Sequence, residues 1–194
     1  MSGPRIRLHV EQPLGTGQAV VLAPGQAHYL GSVMRQVPGD TVLLFNGADG
    51  EWRARLTHAN RRGARLLCEE QTRPQGAPPD LWLLFAPLRR ERTAFLVEKA
   101  VELGAARLLP VITRHTNAER LRLDRERAHA IEAAEQCGAT WVPEVATPRP
   151  MAQILAEWPH GRQLFWADEA RAGAGGDAST SADGCRRPDT GPEE

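Results

Sequence analysis

The sequence has few of the features that disulfide-bonded, zinc-binding or membrane proteins need. Its three cysteines, Cys68, Cys137 and Cys185, are odd in number and form no CxxC pair, which argues against a disulfide framework or a zinc site. No apolar run reaches 18 residues, and the opening segment MSGPRIRLHVEQPLG lacks the apolar stretch of a signal peptide. We therefore expect reduced thiols, no bound metal, no membrane partner and a cytoplasmic location.

Short motifs of several enzyme classes are also missing. The chain has no GxSxG elbow, HExxH helix, GxGxxG loop or P-loop, and its six histidines follow no triad order. His28 and His115 are each candidates for a catalytic group, but a polar surface histidine is the simpler interpretation. The residue patterns therefore leave the catalytic group unknown.

The basic residues are almost all arginine and are unevenly spread. Of the 24 basic residues, which balance 24 acidic ones, Lys99 alone is a lysine. Residues 1–79 carry nine arginines and six acidic residues, whereas residues 168–194 carry three and seven. The basic first part of the chain suggests a polyanionic partner.

The first 72 residues are expected to form a small β-barrel. Short segments rich in β-branched or large apolar residues are separated by Gly, Pro or Asn, and a helix of about ten residues, ended by Pro38-Gly39, lies between them. The turn NGADG joins two of the strands. The strand segments are 5–10, 18–23, 40–47, 51–58 and 63–71. So many strands in so short a stretch favour a closed or half-open barrel, which hides its edges.

One strand of this barrel, EWRARLTH, presents arginines on one face. Period-two alternation places Arg53 and Arg55 opposite Trp52, Ala54 and Leu56. Guanidinium groups bind phosphate through forked hydrogen bonds, so this face is a candidate for contact with a nucleic-acid backbone. A solvated strand face in an arginine-rich protein is the alternative, and the sequence leaves both open.

A second domain is expected after a linker. Residues 73–79, RPQGAPP, are rich in proline and predict the linker, and residues 80–169 alternate strands and helices, which predicts a parallel sheet with right-handed crossovers. We expect strands at 81–88, 106–113, 141–146 and 163–169, the first buried on both faces, and helices at 92–104, 123–138 and 150–158, with Asp124 as the N-cap of the second helix. Residues 170–194 contain no large apolar residue and are expected to be disordered.

Two of these helices end in a glycine with a glutamate close before it. Gly104 follows Glu102 and Gly138 follows Glu135, and both glycines suit the left-handed end of a helix. The carboxylates oppose the helix dipole and lie at the amino edge of the sheet, away from the edge where ligands usually bind. We therefore expect a structural role through bonds to backbone or to a partner subunit, and an ion pair between Lys99 and Glu102 on one helix face.

The second half of the chain contains two long motifs, VEKAVELGAARLLPVITRHT and IEAAEQCGATWVPEV. They follow a barrel that contains HYLGSVMRQVPGD and LFNGADGEW, and then the proline-rich linker. In this order and spacing, from residue 5 to residue 168, the chain resembles the family of ribosomal RNA small subunit methyltransferase E. The resemblance implies a PUA-like RNA-binding barrel followed by a SPOUT-type α/β domain with a deep trefoil knot. It also implies a homodimer that uses S-adenosylmethionine to methylate N3 of a uracil in 16S rRNA of the small ribosomal subunit.

The resemblance also assigns residues to roles. Arg35, Arg89 and the strand that carries Arg53 and Arg55 would contact RNA. The motif positions of the family fall on Lys99, Glu102, Gly104, Glu135, Gln136 and Pro143. The implied chemistry is attack of a deprotonated uracil nitrogen on the methyl group of the donor, favoured by proximity and by stabilisation of the developing charge, without a covalent intermediate or a metal.

The chain departs from the family near its last residues. After LFWADE the family continues with two more strands and a GPEGG loop, which help to form the knot and hold the donor. Here Gly191, Pro192 and Glu193 match that loop in order, and no apolar strand precedes them. We therefore expect an α/β protein with a PUA-like barrel and an incomplete SPOUT domain whose knot region is missing, and no binding of S-adenosylmethionine. A non-catalytic rRNA-binding module and an inactive fragment are the alternatives.

Overall fold

A computed structural model describes residues 6–60, 63–114, 116 and 121–167 of the chain. The strands are β1 Arg7–His9, β2 Ala19–Val21, β3 Thr41–Phe45, β4 Glu51–Asn60, β5 Gly63–Arg73, β6 Trp82–Phe85, β7 Arg107–Ile112, β8 Glu144–Val145 and β9 Arg149–Pro150. The helices are α1 Pro24–His28, which continues as a π-helical turn Tyr29–Val33, α2 Arg90–Glu102, α3 Leu123–Cys137 and α4 Met151–Ala156. Both the predicted barrel strands and the later alternation of strands and helices are confirmed.

The first five strands form one sheet in the order β1-β3-β4-β5-β2. β1 runs parallel to β3, and the remaining pairs are antiparallel. Side chains bridge the open side of the sheet: Gln12, which follows β1, donates through Nε2 to the carbonyl of Val21 in β2 at 2.8 Å, and Gln26 of α1 donates through Nε2 to the carbonyl of His9 in β1 at 2.6 Å. The sheet therefore has the half-open form that the strand spacing predicts.

Alternating side chains build the core of this barrel. Ala54 and Leu56 of β4 point inward and are fully buried, as the period-two pattern predicts, and Leu66 of β5 lies on the same side. The NGADG turn is held by Asn46, whose Oδ1 accepts hydrogen bonds from the backbone of Ala48 at 3.0 Å and of Asp49 at 2.8 Å.

The helical segment of the barrel ends earlier than predicted. The helical residues stop at Val33, and Arg35 adopts a left-handed φ of 53°, so the predicted end at Pro38-Gly39 was wrong. The backbone N–H of Gln36 donates to the carbonyl of Leu30 at 2.9 Å and closes the turn. The chain leaves the helix through this turn before it reaches the proline.

The α/β part contains a parallel sheet in the order β6-β7-β8, and β9 pairs with the far end of β7. α2 and α3 pack against each other through small and apolar side chains, which include Val97, Ala100, Ala130 and Ala134. Both helices reach left-handed glycines, Gly104 at φ 86° and Gly138 at φ 83°, as predicted. Arg122, not Asp124, is the N-cap of α3, and Asp124 lies in the first turn, where a carboxylate favours the helix dipole.

Two expectations about strands were wrong. β6 is half-buried apart from Phe85, because it lies at the edge of the sheet that the described residues form and has only β7 beside it. The described part of the predicted strand 163–169, which is residues 163–167, is not a strand, and Leu164, Phe165 and Trp166 are exposed. An apolar run becomes a strand only when a neighbouring strand accepts its backbone hydrogen bonds, and none of the described strands does so.

The described residues up to Glu157 form one compact unit, and those from Trp158 onward form another. In the second unit, Trp158 Nε1 donates to the carbonyl of Arg162 at 3.0 Å. The predicted tail 170–194 lies outside the described residues. Within the part of the chain that the structure describes, no helix combines the length and the apolar character that a membrane span requires.

Candidate functional site

A buried carboxylate lies where the barrel meets the α/β part. Glu51 begins β4, is 4% exposed, and accepts hydrogen bonds from Arg7 Nε at 2.7 Å, Arg73 Nη2 at 2.8 Å and Thr72 Oγ1 at 2.9 Å. Burial acts to raise the pKa of Glu51, but hydrogen bonds from Arg73, Arg7 and Thr72 outweigh it and hold the pKa below its usual range. The carboxylate is therefore the charged centre of a fixed cluster.

The two arginines of this cluster also bind the end of α3. Arg7 Nη1 donates to the carbonyl of Ala134 at 2.7 Å, and its Nη2 donates to that of Ala139 at 2.8 Å. Arg73 Nη2 donates to the carbonyl of Gly138 at 2.6 Å. The last carbonyls of a helix have no partner within the helix, and positive charge there is favourable. The barrel thus supplies the cap of α3.

Glu135, one of the family-motif positions, completes the junction. Its carboxylate accepts a hydrogen bond from the backbone N–H of His9 at 2.9 Å. Burial raises the pKa of Glu135, and this bond from His9 opposes the shift. The bond to backbone that we expected for this carboxylate is confirmed. Gln136 beside it is exposed, and Pro143 is buried.

Phe45 carries the apolar part of the junction. It is the last residue of β3 in the barrel, yet it is fully buried in the core of the α/β part, together with Phe85 and Val97. The Arg7 guanidinium lies 4.7 Å above the Phe45 ring, and the His9 ring meets it edge to face at 5.5 Å. Burial lowers the pKa of His9.

The other motif positions lie at the end of α2. Lys99 Nζ contacts the Glu102 carboxylate at 2.8 Å and Glu98 at 2.9 Å, which confirms the predicted pair, and it lies 5.5 Å from the centre of the Phe95 ring. The hydrogen bonds that Lys99 donates to Glu102 and Glu98 raise the pKa of Lys99. Gly104 follows this helix. The ends of α2 and α3 both precede parallel strands, so these positions lie at the amino edge of the sheet.

The four arginines assigned to RNA differ in their partners. Arg53 pairs with Glu70, and Arg55 pairs with Glu69 at 2.6 Å and donates to the carbonyl of Gly39 at 3.1 Å. Arg35 and Arg89 are exposed, and neither guanidinium has a partner among the described residues. Two of the four charges are therefore neutralised within the protein, and two face solvent.

Arg89 lies on the opposite side of the sheet from the motif positions. It precedes α2 as its N-cap and follows β6, so it marks the carboxyl edge of the sheet. Its carbonyl accepts hydrogen bonds from the backbone of Arg92 at 2.8 Å and of Thr93 at 3.0 Å. This edge is where parallel α/β sheets usually bind ligands. The structure therefore separates Arg89 from Lys99, Glu102 and Glu135.

Sequence reasoning missed the half-buried Arg7 and the buried Glu51 and Glu126. Glu126 in the first turn of α3 is 4% exposed, and its Oε2 has no hydrogen-bond partner among the described residues. Burial raises the pKa of Glu126, and His129 and Arg90 oppose the shift. A glutamate in the arginine-rich segment LDRERAH gives no sign of burial, and Arg7 and Glu51 lie 44 residues apart. Gly191, Pro192 and Glu193 lie outside the described residues.

Curated relatives are similar in sequence to part of this chain. Ribosomal RNA small subunit methyltransferase E of Synechocystis sp. is 31% identical over 138 residues, which covers 70% of this chain and 45% of the relative. The protein of the same name from Rickettsia conorii is 27% identical and is covered over 54% of its length, with 67% of this chain matched. The chain therefore spans about half the length of these relatives.

Solved structures confirm the expected α/β fold class with a PUA-like barrel. One is the crystal structure of a ribosomal RNA small subunit methyltransferase E from Neisseria gonorrhoeae, bound to S-adenosyl methionine. It is 28% identical with a TM-score of 0.73, and the match covers 80% of this chain and 66% of the Neisseria gonorrhoeae chain. A probable rRNA-methyltransferase from Porphyromonas gingivalis shares the fold with a TM-score of 0.73 at 22% identity, over 87% of this chain and 71% of its own.

Family models match both parts of the chain. The model of the RNA methyltransferase PUA domain matches residues 22–67, which include β3, β4 and the π-helical turn of the barrel. The model of the RNA methyltransferase domain matches residues 75–188 and so includes the parallel sheet, α2 and α3. Since this second match alone spans more than half of its residues, the chain belongs to the RNA methyltransferase family.

Proposed function

We propose that this protein takes part in the methylation of N3 of a uracil in 16S rRNA of the small ribosomal subunit, with S-adenosylmethionine as the methyl donor. The observation that carries the proposal is the paired match, in order, of a PUA domain and an RNA methyltransferase domain. The likeness at 28% identity to the Neisseria gonorrhoeae methyltransferase, which binds S-adenosyl methionine, supports it. The cytoplasm and a homodimer are the proposed location and assembly.

The donor site is predicted to lie partly outside the described residues. The residues predicted to contribute to it, Gly191, Pro192 and Glu193, lie outside them. S-adenosylmethionine, when bound, supplies a methyl group on a positively charged sulfur. No step of the reaction is therefore assigned to a described side chain, and the catalytic group stays unknown.

The described residues have a clearer part in holding the substrate. We assign Arg35 and Arg89 to phosphate contacts, because both guanidinium groups are exposed and unpaired in the described part of the chain. Arg53 and Arg55 would contact phosphate only by exchanging their partners Glu70 and Glu69. The junction around Glu51 would fix the barrel relative to the sheet, so that RNA bound by one is positioned for the other.

The function is tested in cells from which the coding region of residues 1–194 is deleted. A methyl group on N3 blocks the Watson–Crick edge of uracil and stops reverse transcriptase. We expect one strong stop in 16S rRNA to disappear on deletion and to return when the gene is restored. An unchanged set of stops would contradict the proposed function.

Donor binding by residues 1–194 is a separate prediction. Because no apolar strand precedes Gly191, Pro192 and Glu193, isothermal calorimetry of residues 1–194 with S-adenosylmethionine should show no measurable heat. Micromolar or tighter binding would contradict the prediction. A chain that binds 16S rRNA with a steep salt dependence, yet not the donor, would support the alternative of a non-catalytic RNA-binding module. Light scattering on the same sample measures whether it is a homodimer.

A further inference from the structure

The barrel exposes a small apolar surface beside Arg35. Tyr29, Val33, Met34 and Val37 are 36%, 58%, 38% and 58% exposed, and together with Arg35 they form what we call the 29–37 surface. Nothing in the proposed phosphate contacts accounts for four exposed apolar side chains in nine residues. Contiguous exposed apolar groups with a polar border are typical of a binding surface.

The backbone holds this surface in one shape. Leu30 is fully buried and anchors the π-helical turn to the barrel core. The backbone N–H of Met34 donates to the carbonyl of Tyr29 at 2.9 Å, which places these two residues one turn apart on the same side. The backbone N–H of Val37 donates to Asp40 Oδ2 at 2.8 Å and fixes the end of the segment. These backbone hydrogen bonds therefore hold the apolar side chains in exposed positions.

Arg35 lies between these groups in an unusual conformation. Its φ of 53° is left-handed, and among the described residues it is the single non-glycine residue with a positive φ. Non-glycine residues adopt this region rarely, and where they do, the strain often belongs to a functional site. The conformation presents the guanidinium at the turn between Met34 and Val37.

The charge around this segment suits a polyanion. Residues 24–39 contain no acidic residue, the Asp40 carboxylate that follows them accepts the backbone N–H of Val37, and Arg35 has no partner among the described side chains. The arginines of the neighbouring β4 differ, since Arg53 and Arg55 are paired with Glu70 and Glu69. Arg35 thus supplies an unpaired positive charge within the same short segment as the exposed Tyr29 ring.

We propose that the 29–37 surface binds an unpaired segment of the RNA substrate, with a base stacked on Tyr29 and flanked by Met34, and with Arg35 on the adjoining phosphate. The proposal rests on the proposed function in that RNA is the substrate. Proteins recognise unpaired RNA by stacking splayed bases on aromatic side chains beside basic groups, whereas a paired helix keeps its base faces covered. An aromatic ring, apolar neighbours and one unpaired arginine match the first kind of RNA.

The test measures binding of the 194-residue chain to two RNA probes of equal phosphate number. One is a hairpin with a single-stranded extension that carries 2-aminopurine, and the other is a fully paired hairpin. We expect tighter binding of the extended probe and a change in 2-aminopurine fluorescence on binding. Tyr29→Ala should weaken binding of the extended probe about tenfold and leave the paired probe unchanged.

Further substitutions distinguish a loss of base stacking from a loss of folding. Tyr29→Phe should keep the affinity of the extended probe, whereas Tyr29→Leu, which keeps apolar volume without a ring, should lose it. Val21→Ala is the matched control, since Val21 is another exposed apolar residue of the barrel and should change nothing. Arg35→Ala should lower the slope of log affinity against log salt by about one for the extended probe.

The outcomes distinguish the two levels of the proposal. Failure of the chain to bind either probe or 16S rRNA would count against the proposed function itself. Binding of both probes that is unaffected by Tyr29→Ala and Tyr29→Leu would overturn the stacking role and leave the proposed function standing. Equal loss for the extended and the paired probe would also overturn it, because the surface would then not distinguish unpaired bases.

Discussion

Three glutamates, two of them buried and Glu135 half-buried, show how the surroundings of a carboxylate decide its effect on stability. Glu51 has donors from Arg7, Arg73 and Thr72, and its lowered pKa means that its contribution is present at neutral pH and is lost as the pH falls through the folded-state pKa. Glu126 and Glu135 have raised pKa values because burial dominates. Their protonation favours the folded state, so they act in the opposite direction.

Glu126→Gln is expected to stabilise the protein at neutral pH. The folded-state pKa of Glu126 is raised, so its favourable contribution is complete below the unfolded-state pKa of about 4.3 and is lost as the pH rises through the folded-state pKa. Removing the charge should therefore gain about 1 kcal/mol in unfolding free energy at pH 7 and almost nothing at pH 4. Urea unfolding at both pH values measures this.

The control for this variant is Glu132→Gln on the same helix. Glu132 is exposed, so its substitution should change the unfolding free energy little at either pH. A Glu126→Gln protein that is less stable than the parent at pH 7 would show that the carboxylate has a favourable partner.

At the scale of elements, the residue before β4 packs closely against the backbone at the end of β5. Gly50 has a φ of 78°, and a Cβ there would collide with the carbonyl oxygen of Arg73 and lie 2.8 Å from the backbone nitrogen of Gln75. The two strands therefore approach so closely that only glycine fits between them. The same approach places the Arg73 side chain on Glu51 and on the end of α3.

Gly50→Ala is expected to cost about 2–3 kcal/mol in unfolding free energy, from the left-handed φ and from the backbone shift that the Cβ enforces. Thermal and urea unfolding measure the loss. Gly76→Ala is the matched control, because Gly76 has a φ outside the left-handed region and a Cβ added there would meet no atom within 4 Å. Equal stability of the Gly50→Ala protein and the parent would show that the strands can separate without cost.

The sequence allowed local elements to be predicted and left their contacts open. The glycine ends at Gly104 and Gly138 and the alternation along β4 depend on residues within a few positions of each other, so they could be inferred. The contact of Arg7 with Ala134 joins residues 127 apart, and no local pattern encodes it. The prediction for the apolar segment before residue 168 was wrong for the same reason, since a strand requires a distant neighbour.

In the candidate site too, contacts between residues close in sequence could be predicted and long-range contacts could not. The Lys99–Glu102 pair is one helical turn apart and could be predicted from spacing. The arginines that are neutralised could not be predicted in this way. Glu69 and Glu70 meet Arg55 and Arg53 only because β4 pairs with β5. The left-handed φ of Arg35 could not be predicted either, because non-glycine residues rarely adopt it and no local pattern indicates it.

At the scale of the whole molecule, the two cores meet at one strand. Leu44 and Phe45 are adjacent in β3 and both are fully buried, but Leu44 belongs to the barrel core and Phe45 belongs to the core of the α/β part. Successive side chains of a strand point to opposite faces, so a single strand serves both cores. Stability of the barrel and of the α/β part should therefore be coupled through Phe45 and the Arg7–Glu51 cluster.

Phe45→Ala should reveal this coupling. In the 194-residue chain it removes a buried ring from the α/β core and is expected to cost about 3–5 kcal/mol. In an excised barrel of residues 1–76 the ring has lost that core, so the same substitution should cost less than half as much and should reduce self-association in size-exclusion chromatography. Leu44→Ala is the control, because its barrel environment is present in both proteins and its cost should be similar. Equal losses for Phe45→Ala in the two proteins, measured by urea unfolding, would mean that Phe45 stabilises the barrel alone.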